Sequence, residues 1–541
     1  MSSNNSSSPD SGSATCTLAA QACSSCRKQK RKCDKGLPSC GLCVRIGRPC
    51  DYSVDAPSNA FGAPTSEEFE ELRRKVGELE TVLARAGKSS SLRGSNGDVH
   101  MIGSGNSESA SPAGDVPISQ TIAATAPWIG SSGFPSLFFL DSQMFEYERF
   151  TIQTPYIRVP AGALQSLGSS GDLRAMIERY FSTVHVYFSV VSKIRLYQHL
   201  AHPTHEIGAD MALLFLAMKL AMSEPRDGPM PPQLYQDVKS FYSYVEAQHG
   251  FSIQLIQAAL LISLYEVGHG IYPAAYLTIG NCARLGHAMG IHERNVPQML
   301  PRATTWTEQE ERRRVWWGVV VLDRYVNLGH QGKPFASAEP GLDTHLPTDD
   351  GSWDRGQMLA AAPLALSASQ NIPASPFART CQASHLLGKV IRHVNDHTIP
   401  AAYRFDEALQ LHRTLRALAD AMLSETTENY SIEGPPLCTA LSICYSAILT
   451  LYDSYSCTEK SMRDAPETQL TMQQEAISGI SEFTELAMQM ARRLKAFVDK
   501  VGLENVSPLV VDSLYQAAAN CTRDPSKASF FSHRAMAALT S

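Results

Sequence analysis

Apolar residues along much of this chain recur at steps of three and four, the spacing that lines one face of a helix. From about residue 166 the repeat is sustained. In "TEQEERRRVWWGVVVLDRYVNLG", Val315, Val319, Leu322 and Val326 fall on one face, Thr307 with Glu310 reads as a capping box, and Gly329 reads as the stop. Glu308–Arg312 and Glu310–Arg314 stand at the i,i+4 spacing of helical ion pairs. Leu411, Leu415, Leu418 and Met422 repeat the stripe, as do Phe483, Leu486, Met490 and Leu494. Strand-like alternation is not sustained anywhere, so the expected fold class is mostly α.

A second pattern is narrower. In "TSEEFEELRRKVGELETVLARAG", Phe69, Leu72, Val76, Leu79, Leu83 and Ala86 alternate steps of three and four, an a/d seam. With Phe69 at a, a parallel dimer sets Glu68 against Arg73 and Lys75 against Glu80, both attractive pairs. Thr65 with Glu68 is a candidate capping box, and Gly87 can end the helix. Residues 66–87 are therefore expected to form a short coiled-coil dimerisation helix, with Phe69, Leu72, Val76, Leu79 and Leu83 as its contacts. A seam this short needs support from elsewhere.

Between the patterned stretches the composition changes. Residues 1–22 and 88–135 are rich in Ser, Gly, Asn and Pro, too poor in apolar surface to offset the ordering of their backbone, and are expected to be disordered. Residues 136–165 form an aromatic and acidic connecting segment. Its core, "FFLDSQMFEYERF" (138–150), has the composition of a coactivator-recruiting element, although docking on the helical body is the plainer reading. The start, "MSSNNSSSPD", carries no secretory signal, and the most apolar stretch, "LIQAALLISLYEV", is broken by Gln257 and Glu266 and too short to span a bilayer. An intracellular protein with no membrane partner is expected, in a compartment where thiols stay reduced.

Charge and cysteine then change the picture. The 541-residue chain has a formal charge of −6 and 13 cysteines. Six of the cysteines lie in "CSSCRKQKRKCDKGLPSCGLCVRIGRPC", Cys23 to Cys50, where eight basic residues face the single acid Asp34. That window is formally +7, which leaves −13 for the rest. A basic module on an acidic body suggests a local polyanion site. The spacing is C-x2-C-x6-C, six residues, then C-x2-C-x6-C, an internal repeat. Structural zinc takes four thiolates in a tetrahedron. One zinc leaves two cysteines spare, and two separate zincs need eight. Six thiolates, Cys23, Cys26, Cys33, Cys40, Cys43 and Cys50, serve two zinc ions only if two sulfurs bridge both. A 28-residue unit with few large apolar side chains cannot fold by burial alone; zinc supplies on the order of 10 kcal/mol or more per site. With six thiolates and two zinc ions the module stays near +5. Other cysteines, such as Cys16, Cys282 and Cys444, lack the spacing and read as inert thiols.

This window resembles the DNA-binding domain of the fungal binuclear zinc cluster transcription factors. It matches each step of the six-cysteine pattern, the basic run "CRKQKRKCD" and the loop proline, Pro38. The resemblance implies that Cys23 and Cys40 bridge the two zincs, that Cys26 and Cys33 complete one site, and that Cys43 and Cys50 complete the other. "RKQKRK" is expected to occupy a short helix between Cys26 and Cys33, its side chains reaching phosphates and major-groove base edges. By the resemblance Lys30 reads a CGG triplet. Its neighbour Gln29 stands where many members carry a basic residue, which bears on flanking-base preference. Arg27, Lys28, Arg31 and Lys32 are assigned to phosphate, and the run doubles as a candidate nuclear import signal. Residues 51–65 act as a tether. Its 14 residues Asp51–Pro64 span at most about 45–50 Å.

Residues 166–541 resemble the same family's all-helical regulatory domain, through "IERYFSTVHVYFSVV", "CARLGHAMGIHE", "EERRRVWWGVVVLDRYVNLGHQGKPFA" with "LDTHLPTDD", and "SPLVVDSLYQAAA". The resemblance implies a nuclear regulator of RNA polymerase II transcription. It would bind CGG-containing duplex DNA as a homodimer, with the last motif leaning toward a secondary-metabolite gene cluster. The alternative is a chromatin-targeted enzyme or adaptor whose zinc module serves recruitment only. No P-loop, dinucleotide glycine motif or nucleophile elbow is found, and no catalytic residue is assigned. Cys282, His287 and His292 do not share a helix face and read as packing residues. Arg312–Arg314 beside Trp316 and Trp317 read as a helix-surface ion network over buried aromatics, and Asp349, Asp350 and Asp354 as solvated loop acids.

Overall fold

The computed structural model describes residues 19, 21–28, 31–52, 74, 141, 156–201, 207–223, 232–293, 300, 302–329, 332–358, 363–428, 436–457 and 467–523. The chain divides into two compact units, Met1–Asp115 and Val116–Ser541. The described residues contain helices and an isolated antiparallel bridge, His345 with Ala365, but no strand. No helix among them is long and apolar enough to cross a membrane.

Among the described residues of the cysteine repeat, the first unit has two five-residue helices, α1 (Ser24–Lys28) and α2 (Gly41–Arg45), at equivalent places in its two halves. Cys40 is the N-cap of α2, its Sγ accepting from Cys43 N–H at 3.4 Å. The helix expected between Cys26 and Cys33 is displaced: α1 starts at Ser24 and carries Cys26, Arg27 and Lys28, while Arg31 and Lys32 follow outside any helix. One helical turn starting just after Cys23 lets Cys23 and Cys26 face the same centre. Within the stretch expected to be disordered, Ala19 N–H donates to Lys35 O at 2.9 Å. The seam at 66–87 and the segment 138–150 lie outside the described residues, apart from Arg74, helical and exposed, and Asp141, exposed.

The second unit is a helical body of fifteen helices among its described residues. They are α3 (Ala161–Leu167), α4 (Ser170–Ser182), α5 (Val184–Tyr187), α6 (Lys193–Ala201), α7 (Ala209–Ala221), α8 (Gln233–Ala247), α9 (Ile253–Gly268), α10 (Ala274–Met289) and α11 (Trp306–Tyr325). Then follow α12 (Asp350–Asp354), α13 (Pro376–Asn395), α14 (Ala401–Glu428), α15 (Pro436–Tyr455), α16 (Glu467–Val501) and α17 (Val511–Arg523). The expected boundary at residue 166 falls inside α3, and Ile157, Val159 and Ala163 already pack on the core.

Two buried helices organise this body. α9 packs against α7, α10 and α11, and it is buried on every side, as a helix that is apolar all round must be. α15 packs against α13, α14, α16 and α17. α11 against α13 joins the two groups. The long α16 instead buries one stripe, including Met472, Ala476, Gly479, Phe483, Ala487, Met490 and Leu494. Gly479 is where α16 closes on α15: a Cβ there would stand 2.2 Å from a ring carbon of Tyr452. The stripe Leu411, Leu415, Leu418 and Met422 on α14 is buried as expected.

Three expectations for α11 and its surroundings are corrected. First, the N-cap is Thr305, not Thr307: Thr305 Oγ1 accepts from Glu308 N–H at 3.2 Å, while Glu308 Oε2 accepts from Thr304 N–H at 3.1 Å. Second, the arginine network is not a surface one. α11 is buried along nearly its whole length, so Arg314 and Glu310 lie fully inside. Arg314 Nε donates to Glu310 Oε1 at 3.0 Å, Nη1 to Ser189 Oγ at 2.7 Å and Asp350 Oδ1 at 2.6 Å, and Nη2 to Thr348 O at 2.7 Å. Its guanidinium carbon stands 4.1 Å from the centre of the Trp353 ring. Burial of a charge requires this density of partners. Third, the loop acids are engaged. Asp349 accepts from Ser352 N–H at 2.8 Å as N-cap of α12, Asp350 holds Arg314, and Asp354 meets His185 Nε2 at 3.0 Å.

Cys282, His287 and His292 are packing residues, as read. Cys282 is buried, and burial pushes its thiol upward. His287 and His292 nonetheless come together: Gly290, at φ 71°, turns the chain back after α10 and sets the rings 4.4 Å apart beside Trp316. Burial lowers both imidazoles below their ordinary value.

Candidate metal centre

The cysteine repeat closes on itself. α1 carries Cys26 one turn after Cys23, and α2 carries Cys43 one turn after Cys40. The two turns face each other, so the Sγ atoms of Cys23, Cys26, Cys40 and Cys43 all lie within 4.8 Å of one another and are buried. Cys23 Sγ is 3.8 Å from Cys40 and 3.7 Å from Cys43, and Cys26 Sγ is 3.7 Å from Cys40. Cys33 and Cys50, partly exposed, pack at the edge, and Cys50 Sγ accepts from Cys40 N–H at 3.1 Å.

This donor set fits zinc. Four sulfurs around one tetrahedral zinc at about 2.3 Å stand about 3.8 Å from each other, the separation found here. Cys23 and Cys40 each lie beside two thiols of the opposite half: Cys23 beside Cys40 and Cys43, and Cys40 beside Cys23 and Cys26. The crowd of thiols behaves as one acid–base system. Burial opposes ionisation at Cys23, yet the Cys26 backbone N–H and neighbouring thiols bring it down to about 6. Burial and its thiol neighbours push Cys26 up to about 12. Six sulfurs this close do not ionise together unless divalent cations offset their charge.

Two residues that the spacing did not single out brace the centre. Asp34, the lone acid, accepts from Gly41 N–H at 2.9 Å and from Gly36 N–H at 3.4 Å, tying the first half to the start of α2. Tyr52 Oη donates to Gly36 O at 2.9 Å and lies 3.9 Å from Cys33 Sγ. The signal for Asp34 was its isolation among bases; an aromatic two residues past the final cysteine was the signal for Tyr52.

Of the expected DNA contacts, Arg27, Arg31 and Lys32 are described and exposed. Arg27 Nη1 reaches Gln21 Oε1 at 3.4 Å, and Arg31 N–H returns to Cys26 O at 3.0 Å. Lys28 is placed in α1 by its backbone, its side chain outside the description. Gln29 and Lys30 lie outside the described residues, as do Phe69, Leu72, Val76, Leu79 and Leu83.

The helical body holds a cavity of about 90 Å³ lined by residues that include Arg195, Leu196, Met211, Gln257 and Glu311. Its polar lining is internally paired: Glu311 accepts from Ser192 N–H and from Gln257 Nε2, each at 2.9 Å, and bonds Arg195.

Comparison with known proteins agrees with this geometry. Residues 21–58 match the family described as the fungal Zn(2)-Cys(6) binuclear cluster domain. Residues 177–394 match the fungal specific transcription factor domain. A transcription factor of Botryotinia fuckeliana is 35% identical over 178 residues, covering 33% of this chain and 98% of that protein. A transcription factor of Aspergillus terreus is 23% identical over 459 residues, 71% of this chain and 70% of its own length. A citrinin biosynthesis transcriptional activator of Monascus ruber is 23% identical over 401 residues, 71% of this chain and 74% of its own. No solved structure matches the chain.

Proposed function

This chain belongs to the fungal Zn(2)-Cys(6) transcription factors, and from that premise we propose that it binds CGG-containing duplex DNA in the nucleus as a homodimer. There it regulates RNA polymerase II transcription of a secondary-metabolite gene cluster. Two zinc ions hold the module in shape, and their chemistry is structural. In this reading Cys23 and Cys40 bridge the zincs, Cys26 and Cys33 complete one site, and Cys43 and Cys50 the other. Lys30 reads base edges, Gln29 adjoins them, and Arg27, Lys28, Arg31 and Lys32 hold phosphates. Phe69, Leu72, Val76, Leu79 and Leu83 pair two chains, and the aromatic, acidic segment 138–150 offers coactivators a contact. The body regulates and does not catalyse.

The observation that carries the reading is a buried thiol cluster braced by two short turns, with Arg27, Arg31 and Lys32 exposed around it. Cluster control is supported by what relatives are known as, among them the citrinin activator and a depudecin cluster-specific activator of Alternaria brassicicola. The test is a salt titration of binding to a duplex with paired CGG triplets. Phosphate contacts give a steep linear fall of log affinity with log salt. Lys30→Ala should cost about 1–3 kcal/mol and relax the CGG preference, whereas Arg31→Ala should weaken all sequences alike and flatten the salt slope. Binding without sequence preference that ignores a chelator would favour recruitment as the module's role.

A further inference from the structure

We propose that Tyr52 is a positioning residue for the two-zinc centre, shielding and orienting the outermost thiolates Cys33 and Cys50. The proposal rests on the reading that these six cysteines hold two zinc ions.

Four of the six cysteines are buried by the polypeptide, and the third of each half, Cys33 and Cys50, is partly exposed. In the assignment above these two are terminal ligands of different zincs. A thiolate that solvent reaches is where a competing chelator or an electrophile enters. Tyr52 packs against the cysteine cluster at this open edge, alongside Cys33 and Cys50. Its hydroxyl lies 3.9 Å from Cys33 Sγ and donates to Gly36 O at 2.9 Å. Gly36 belongs to the loop that joins the two halves, where Asp34 also anchors Gly36 and Gly41. The segment bearing Tyr52 is fixed in turn: Asp51 O accepts from Ser24 N–H at 2.9 Å, and Cys50 Sγ accepts from Cys40 N–H at 3.1 Å.

One phenol, packed against the cysteine cluster, thereby links the end of the second half to the loop leaving the first. Groups outside the ligand shell of a metal site commonly set its affinity by 10–100-fold. A ring that merely filled space would do the same work as phenylalanine. The hydroxyl separates the two cases, because only tyrosine ties the ring to Gly36.

The experiment uses the full chain loaded with zinc, as wild type, Tyr52→Phe and Tyr52→Ala. Zinc transfer to the chromogenic chelator 4-(2-pyridylazo)resorcinol gives the release rate, and mass spectrometry after N-ethylmaleimide pulses shows which cysteines react first. Tyr52→Phe should release zinc about 10-fold faster, and Tyr52→Ala faster still, with the early gain in labelling confined to Cys33 and Cys50. Wild-type release in Tyr52→Phe, whatever Tyr52→Ala does, or a gain spread evenly over all six cysteines, overturns the proposal. Wild-type chain that retains fewer than two zinc ions overturns the two-zinc reading and the proposal together; two ions with unchanged release overturn the proposal alone.

Discussion

The zinc module and the helical body solve the same problem by opposite means. The module places four buried sulfurs where a core of large side chains would otherwise stand, and its two helices have five residues each. The body buries helices outright: α9 and α11 are enclosed on nearly all sides, and even the charges of α11 go inside. The difference teaches where each unit is vulnerable. Metal–sulfur bonds are few and individually decisive, so the module should fail at one stroke. The body's stability is spread over many contacts, so single changes should erode it by amounts set by local geometry.

The largest separation of the two should come from chelation. Stripping zinc from the full chain removes on the order of 10 kcal/mol or more per site from the module. DNA affinity should fall by at least about 100-fold, since the apo module no longer presents its basic residues in fixed positions. Far-UV circular dichroism of the body should hardly change. Fluorescence anisotropy with a labelled duplex and a parallel dichroism trace check both halves of this statement. Loss of helical signal in step with zinc would mean that the body depends on the metal, and the contrast would collapse.

Next in size is Arg314→Ala. It leaves Glu310 fully buried and Asp350 without its 2.6 Å partner. Breaking a buried pair by removing one member costs about 3–5 kcal/mol, to be read from urea melts of the body. Zinc stoichiometry should stay the same. Arg314→Met, which likewise leaves buried Glu310 with only Arg313 and Thr348 N–H as partners, should be nearly as harmful, whereas removing Arg314 and Glu310 together for apolar side chains should recover part of the loss.

How much of this could be read from sequence differs between the two regions for a physical reason. The cysteine spacing states its own geometry: ligands one turn apart, repeated, belong to metals whatever surrounds them. The stripes on α14 and α16 were legible for the same local reason. The burial of Arg314 was not, because a surface pair and a core pair share the spacing Glu310–Arg314, and the deciding partners Ser189, Thr348 and Asp350 are distant in sequence or across a loop. The cap was ambiguous in kind. Thr305 with Glu308 and Thr307 with Glu310 are equally good boxes, and tertiary contacts broke the tie by committing Glu310 to Arg314 and to Thr348 N–H. Tyr52 and Asp34 acquire their roles only when the loop at Gly36 folds back.

A smaller effect should come from Gly479→Ala. The added Cβ would lie 2.2 Å from Tyr452, a residue fixed by the 2.9 Å contact of its hydroxyl with His412 Nδ1. The clash can be relieved only by moving α16 off α15 or by breaking that contact. Overpacking of this kind costs about 1–3 kcal/mol, and thermal melts with unchanged zinc content should report it. If Gly479→Ala were neutral or stabilising through helix propensity, the close approach of α15 and α16 would not be a constraint on the body.

The smallest effect sharpens the contrast by pH. Burial alone would raise Asp354, but the hydrogen bond and charge of His185, with Arg314 and Lys193 nearby, hold it below the ordinary carboxylate value of 3.8. A depressed folded-state pKa means that the unfolded chain takes up the proton first as pH falls. Stability from this group is therefore complete above the unfolded value near 3.8 and is lost as pH drops through the lower folded value. For a pair that solvent partly reaches, the contribution is about 1 kcal/mol or less. Urea midpoints of the body between pH 5 and pH 3 should fall less steeply in Asp354→Asn than in wild type. Over the same range the module should respond far more strongly, because protons compete with zinc for thiolates. An Asp354→Asn curve parallel to wild type would mean that the His185 contact leaves no mark on stability in acid.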